Sequence, residues 1–127
     1  MINARVIVLQ KLYSKHMNKD QKLTYPKHRF GRFIKEVVKG TIERKEIIID
    51  IINKELKDNF NISRTEILIK LMIMASIYEF LYKPQTPTKV IINEYLSTAD
   101  FFLEDKKKKY LNAILDKLSK KIRNADG

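Results

Sequence analysis

The chain has no cysteine. That one absence excludes disulfide bridges, thiolate nucleophiles and cysteine-based zinc sites together, and it fits a reducing cytoplasm. Only two histidines occur, His16 and His28, in the basic N-terminal region and without metal-ligand spacing. Three glycines and three prolines leave little material for tight turns, so few short elements are expected. Long hydrophobic runs are missing too. The longest mainly apolar stretch, Leu71–Tyr78, lies between Lys70 and Glu79 and is far short of a bilayer span. Arg5, Gln10 and Lys11 interrupt the apolar N-terminus and no small-residue cleavage site follows, so no signal peptide is expected. There is no Gly-rich phosphate loop, no His-Glu-x-x-His pair and no serine in a nucleophile elbow. The adjacent carboxylates Glu104 and Asp105 read as a helix start. The expectation is a binding protein, not an enzyme, with no catalytic residue, metal or cofactor.

What is present is helix-forming and basic. With 127 residues, 44% hydrophobic and 32% charged, the chain is globular and sized for a single domain over 1–127. The net charge is +11, unevenly spread. Residues 1–39 hold ten Lys/Arg against two Asp/Glu, a net +8, and residues 104–127 hold eight against four, a net +4. The stretch between is close to neutral. If the two ends meet in space they form one basic surface, the electrostatic footprint of a nucleic-acid partner. Ordinary solvated lysines would give the same composition.

Hydrophobic spacing predicts six helices and no strand, an all-α bundle of two three-helix halves. Ile2, Val6, Leu9 and Tyr13 mark the first helix over 2–17. Residues 18–27 have no period and contain Pro26, so a loop is expected. The second helix starts near His28, with Phe30, Phe33, Ile34, Val37 and Val38 buried, and Gly40-Thr41 marks its end or a bend. The third carries Ile47, Ile48, Ile51, Ile52 and Leu56 to about Lys57. Ser63-Arg-Thr-Glu66 is a capping-box pattern opening a fourth helix, from about Arg64 to Tyr82. That helix is apolar nearly all round and must be central. Pro84 and Pro87 end it. A fifth helix follows, with Val90, Ile91, Ile92, Tyr95, Leu96 and Ala99, reaching about Phe102. The last buries Tyr110/Leu111, Ile114/Leu115, Leu118 and Ile122.

Two segments are the most informative: Pro87-Thr-Lys89-Val90-Ile91-Ile92-Asn93-Glu94-Tyr95, and Tyr110-Leu-Asn-Ala-Ile-Leu-Asp-Lys117. Together with Ala4-Arg5, Val8-Leu9-Gln10-Lys11-Leu12-Tyr13, Ile77-Tyr78-Glu79-Phe80-Leu81 and Phe101-Phe102, they resemble the motif set of the NusB family, with an alphaproteobacterial form of the Asn-Glu-Tyr segment. The likeness covers most of 62–123 and much of 2–17, and is weak over 18–61. It implies a non-catalytic, cytoplasmic RNA-binding adaptor. With NusE, a small-subunit ribosomal protein, it would hold the single-stranded boxA element of nascent ribosomal RNA transcripts on the elongating RNA polymerase complex and oppose premature termination. Some relatives self-associate, so a homodimer is compatible. NusB-like domains also precede the methyltransferase domain of certain ribosomal RNA cytosine methyltransferases, but this chain carries no cofactor domain. A helical protein-interaction module with incidental charge is the other reading.

On the RNA side, the resemblance and the charges single out Arg5, Lys11, Lys15, Lys89, Phe102, Lys106, Lys107, Lys108, Lys109 and Tyr110. Lys11 and Lys15 are i,i+4 neighbours. Four consecutive lysines at a helix start cannot share one face, and the helix dipole disfavours them there. Their placement fits phosphate neutralisation, with Phe102 and Tyr110 offering faces for unstacked bases. A buried, structural Tyr110 is the competing reading. Lys106 departs from a family position that is commonly acidic or small. On the protein side, the resemblance implies that Tyr13 and Glu79 face NusE. A core tyrosine and a paired, buried carboxylate are the structural alternatives.

Overall fold

The structure, a computed structural model, describes residues 3–25, 27–56 and 65–123. These form six α-helices and no strand: α1 Ala4–Met17, α2 Gly31–Glu43, α3 Lys45–Glu55, α4 Ile67–Tyr82, α5 Thr88–Ala99 and α6 Asp105–Ile122. The all-α expectation holds, and the two groups of three helices share one core.

Helix α4 is the axle. It packs against all five other helices, as an all-round apolar helix must. Every residue from Leu71 to Phe80 is buried. Ser76 is tolerated there because its hydroxyl donates to the Met72 carbonyl at 2.7 Å, one turn back. The others present narrower stripes: Val8, Leu9 and Leu12 from α1, Ile48 and Ile52 from α3, Ile91 and Tyr95 from α5, and Leu111, Leu115 and Leu118 from α6.

The helix ends differ from expectation in instructive ways. Asn3 caps α1, its side chain accepting from the N–H groups of Arg5 and Val6 at 2.8 and 3.1 Å. Gly40 neither ends nor bends α2. It is a close-approach point, because a Cβ there would overlap the ring of Tyr78 on α4. Helices α2 and α3 are separated by Arg44 alone, whose guanidinium lies 4.4 Å over the Tyr82 ring at the end of α4. Ser63 and Arg64 of the proposed capping box lie outside the described residues. Glu66 itself takes the N-cap position of α4 and makes no capping bond. Helix α5 stops at Ala99, and a turn follows in which the N–H groups of Phe102 and Leu103 both return to the Ala99 carbonyl.

Four residues expected in the core are exposed: Phe30, Ile47, Val90 and Tyr110. Phe30 precedes α2 and is covered in part, by the His28 ring at 5.8 Å and the Arg29 guanidinium at 5.2 Å. Ile47 and Val90 sit one residue beside the stripes Ile48/Ile52 and Ile91/Tyr95 that make the contacts.

The C-terminal end of α4 is closed from an unexpected source. Arg123, just past α6, donates to the carbonyls of Phe80 at 3.1 Å, Glu79 at 3.2 Å, Lys83 at 2.9 Å and Thr86 at 2.6 Å. One guanidinium thus ties the Glu79 and Phe80 carbonyls in the last turn of α4 to two carbonyls of the segment that follows it.

Candidate functional site

The residues singled out from the sequence divide into two places. Arg5 and Glu79 go inside. Glu79 has no exposed surface and Arg5 keeps 8% of its own. Arg5 grips the carboxylate with two bonds, Nε to Oε2 at 3.1 Å and a terminal nitrogen to Oε1 at 2.6 Å. The Tyr95 hydroxyl donates to the same Oε2 at 2.5 Å. Glu94 approaches Arg5 at 3.6 Å, and the guanidinium lies 4.7 Å over the Phe33 ring. Burial pushes the Tyr95 phenol well above its ordinary range, and the Glu79 charge and hydrogen bond add to this. For Arg5, burial acts to lower the pKa, but the hydrogen bond and charge of Glu79 outweigh it and leave the net shift upward. This is a saturated knot joining α1, α4 and α5. The expectation that Arg5 contacts RNA and Glu79 faces a partner is therefore corrected: both side chains are spent on each other. The alternative reading of Glu79, a paired and buried acid, is the one the geometry carries.

Tyr13 and Phe102 stay outside, 38% and 37% exposed. They line one groove of about 410 Å3, between α1, the start of α4 and the turn after α5, with Leu9, Gln10, Glu66 and Leu68. The anticipated separation of an RNA patch around Phe102 from a partner patch around Tyr13 and Glu79 does not exist in this form. Tyr13 shares a wall with Phe102, and Glu79 is elsewhere.

The lysine run stands beside this groove. Lys107 donates to Glu66, a groove residue, at 2.6 Å, and this bond and the carboxylate charge raise its pKa. Lys108 pairs with Asp100, two residues before Phe102. Lys106 and Lys109 make no ion pair among the described residues. Tyr110 is 40% exposed, and partial burial raises its phenol pKa. The reading of Tyr110 as a core residue fails, and Leu111 fills that place.

The remaining candidates lie apart. Lys89 is exposed in the first turn of α5, at the opposite end of that helix from Phe102. Twelve residues of helix span roughly 18 Å. Lys11 and Lys15 both reach toward the segment that follows α1. The Lys11 ammonium is 5.9 Å over the Tyr25 ring, and that of Lys15 donates to the Gln21 carbonyl at 2.8 Å. Sequence reasoning missed Gln10, Glu66 and Leu68 as groove residues. Glu66 reads in the sequence only as a cap, and no local signal reveals its bond to Lys107, 41 residues away. Among the described residues, no three His, Asp or Glu side chains gather as metal ligands, and no helix is long and apolar enough to cross a membrane.

Fold and site together define a class: an all-helical protein with an exposed aromatic groove bordered by lysines. The chain belongs to the NusB family, whose model matches residues 2–120. Among curated relatives, "Transcription antitermination protein NusB" of Mesorhizobium japonicum is 28% identical over 93 residues, 73% of this chain and 60% of that protein. The Sinorhizobium fredii protein of the same name is 30% identical over 91 residues, 72% of this chain and 57% of that protein. The chain thus spans under two thirds of the length of both. The Sinorhizobium medicae protein, also so named, is 26% identical over 137 residues, 94% of this chain and 86% of that protein. A solved structure of T. maritima NusB superposes with a TM-score of 0.79 over 92% of this chain and 88% of that one, at 22% identity, and has the same fold. The relatives are named as transcription antitermination proteins.

Proposed function

We propose that this chain is a transcription antitermination factor: a non-catalytic, cytoplasmic adaptor that binds single-stranded RNA and a protein partner at once. Residues 1–127 act as one RNA-binding domain. The RNA is the boxA element of nascent ribosomal RNA transcripts, and the partner is NusE. The pair tethers the RNA to the elongating polymerase complex and opposes premature termination.

The observation that supports this most is the groove between the chain's two basic ends. Tyr13 and Phe102 offer ring faces, and the Lys106–Lys109 turn supplies cations at its edge. Unstacked bases pack on aromatic faces while lysines neutralise the backbone. Tyr13 lies where the RNA side and the NusE side meet, which suits a protein whose two partners bind cooperatively. Tyr110 extends the surface beside this centre, and Lys11, Lys15 and Lys89, which lie apart from it, offer cations to more distant parts of the strand.

The test is a gel shift of boxA RNA with the chain and its own NusE, at several salt concentrations. Binding that prefers boxA to scrambled RNA, weakens with salt and is reduced by changing Lys106–Lys109 to Ala is expected. Equal affinity for scrambled RNA, or a flat salt response, rejects the reading.

A further inference from the structure

A second groove lies on the other flank of the α1–α4 contact. Leu9, Gln10 and Tyr13 of α1 line the groove described above, whereas Leu12, Lys15 and His16 line this one. Two independent observations meet in it. The first is charge. Lys15 and Lys19, Lys45 at the start of α3 and Lys70 on α4 line a concavity of about 290 Å3, and no Asp or Glu among the described residues lines it. Four lysines in the lining, Lys15 with its ammonium also donating to the Gln21 carbonyl, favour a bound anion.

The second is an unmet hydrogen bond. Thr41 lines the same groove and is 1% exposed, and its Oγ1 has no hydrogen-bond partner among the described residues. A helical threonine commonly turns its hydroxyl onto a carbonyl three or four residues earlier. Thr41 makes no such bond. Between the lysines and this hydroxyl the lining is apolar, from Leu12, Leu71 and Met74.

We propose that this groove binds one nucleotide. Its phosphate sits among the lysines, its base lies against Leu71 and Met74, and the Thr41 hydroxyl bonds the base edge. The volume is at the small end of ligand sites, about 300–1,000 Å3, which suits one flat ring and its phosphate. A carboxylate side chain would engage the lysines but leave the apolar lining and the hydroxyl unused. The nucleotide is either free or part of the single strand held at the Tyr13–Phe102 groove. Only the second source rests on the RNA-binding reading above.

The test is a titration of the isotope-labelled full chain with uridine monophosphate and adenosine monophosphate, followed by amide NMR shifts, with inorganic phosphate as control. The nucleotides should shift Thr41, Ile42, Lys45 and Lys70 and leave Phe102 unmoved. Thr41→Val, nearly the same shape, should weaken binding roughly fivefold, as removal of one hydrogen bond does. Paired Lys45→Gln and Lys70→Gln should weaken it at least roughly tenfold, as removal of two charged hydrogen-bond donors does. Melting curves show whether each variant folds, and the titration of the unaltered chain stands whatever they show. No shifts overturns the proposal. So do equal shifts with inorganic phosphate, or a folded Thr41→Val that binds unchanged. Bound RNA that blocks the nucleotide shifts assigns the site to the strand, and shifts that persist assign it to a free nucleotide. Nucleotide binding without boxA binding rejects the antitermination reading and keeps the groove, and the converse rejects the groove alone.

Discussion

Arg5, Glu79 and Tyr95 form one polar cluster, and Tyr13, Phe102 and the Lys106–Lys109 turn form another. Both join residues far apart in sequence, and both mix charge with aromatic rings. They differ in access to water. In the first, every strong donor meets an acceptor inside a low-dielectric core, where an unmatched charge is very costly. In the second, aromatic faces and ammonium groups keep much of their surface, and two lysines make no ion pair among the described residues. The first holds three helices together. The second retains free capacity to bind, so in this family member the pairing of a charge says more about its role than its place in a motif.

Breaking the inner cluster should give the largest effect. Arg5→Ala leaves the Glu79 carboxylate buried with Tyr95 as its remaining side-chain partner. A loss of about 3–5 kcal/mol in unfolding free energy is expected, measured by urea denaturation. Glu79→Ala should cost as much, by stranding Arg5. Replacing both with apolar residues of similar volume should recover most of the loss. If Glu79 instead serves a partner, Glu79→Ala leaves stability intact and lowers only partner affinity. That outcome would erase the distinction between the two clusters.

The outer cluster should respond in the opposite sense. Changing Lys106–Lys109 to Ala should leave stability nearly unchanged, because its ion pairs are exposed. RNA binding should become less sensitive to salt. For a single strand the slope of log affinity against log salt falls by about 0.7 for each phosphate that is no longer neutralised. Removing all four ammonium groups would reduce it by roughly three. An unchanged slope in RNA titrations would show that these lysines serve solubility alone.

The inner cluster is the harder of the two to read from sequence. Six helices, their order and the central place of α4 follow from spacing within single helices. So do the buried stripes of α1 and α6. Pairing across the chain does not. Glu79 looks unpartnered in sequence because Arg5 lies 74 residues away, and Gly40 looks like a helix end because Tyr78 is contributed by another helix. Periodicity puts Ile47 and Val90 in the core because it locates a face only to within a residue or so. The exposed groove is half legible. Its aromatics and lysines stand out, but not that Tyr13 and Phe102 share a wall, since this depends on how α1 crosses the start of α4.

Alkaline pH separates the clusters by a smaller effect. Tyr95 has a raised pKa in the folded state, so the protonated form is favoured there. Its contribution is fully present below the unfolded value of about 10 and is lost as pH rises from there toward the folded value. Melting temperature should be flat from pH 8 to just under 10 on this account and fall above it. Tyr95→Phe should melt lower at neutral pH and lose part of that alkaline slope. An identical slope in the variant would place the alkaline transition in the other tyrosines with a raised pKa, Tyr25, Tyr78 and Tyr110, instead.

The smallest effect tests whether the outer cluster is held in reserve for RNA. Glu66 sits in the groove and occupies Lys107, which would otherwise face solvent. Glu66→Gln removes the carboxylate charge and keeps the shape. Stability should change by less than about 1 kcal/mol, as for other exposed ion pairs. RNA affinity should rise, because the phosphate no longer competes with a carboxylate for the same ammonium group, and the salt slope should steepen by up to about 0.7. Lys107→Ala in the same background should abolish the gain. If Glu66→Gln weakens binding instead, the carboxylate itself bonds the RNA, accepting from a base. The lysine turn would then be positioned by Glu66 and not restrained by it.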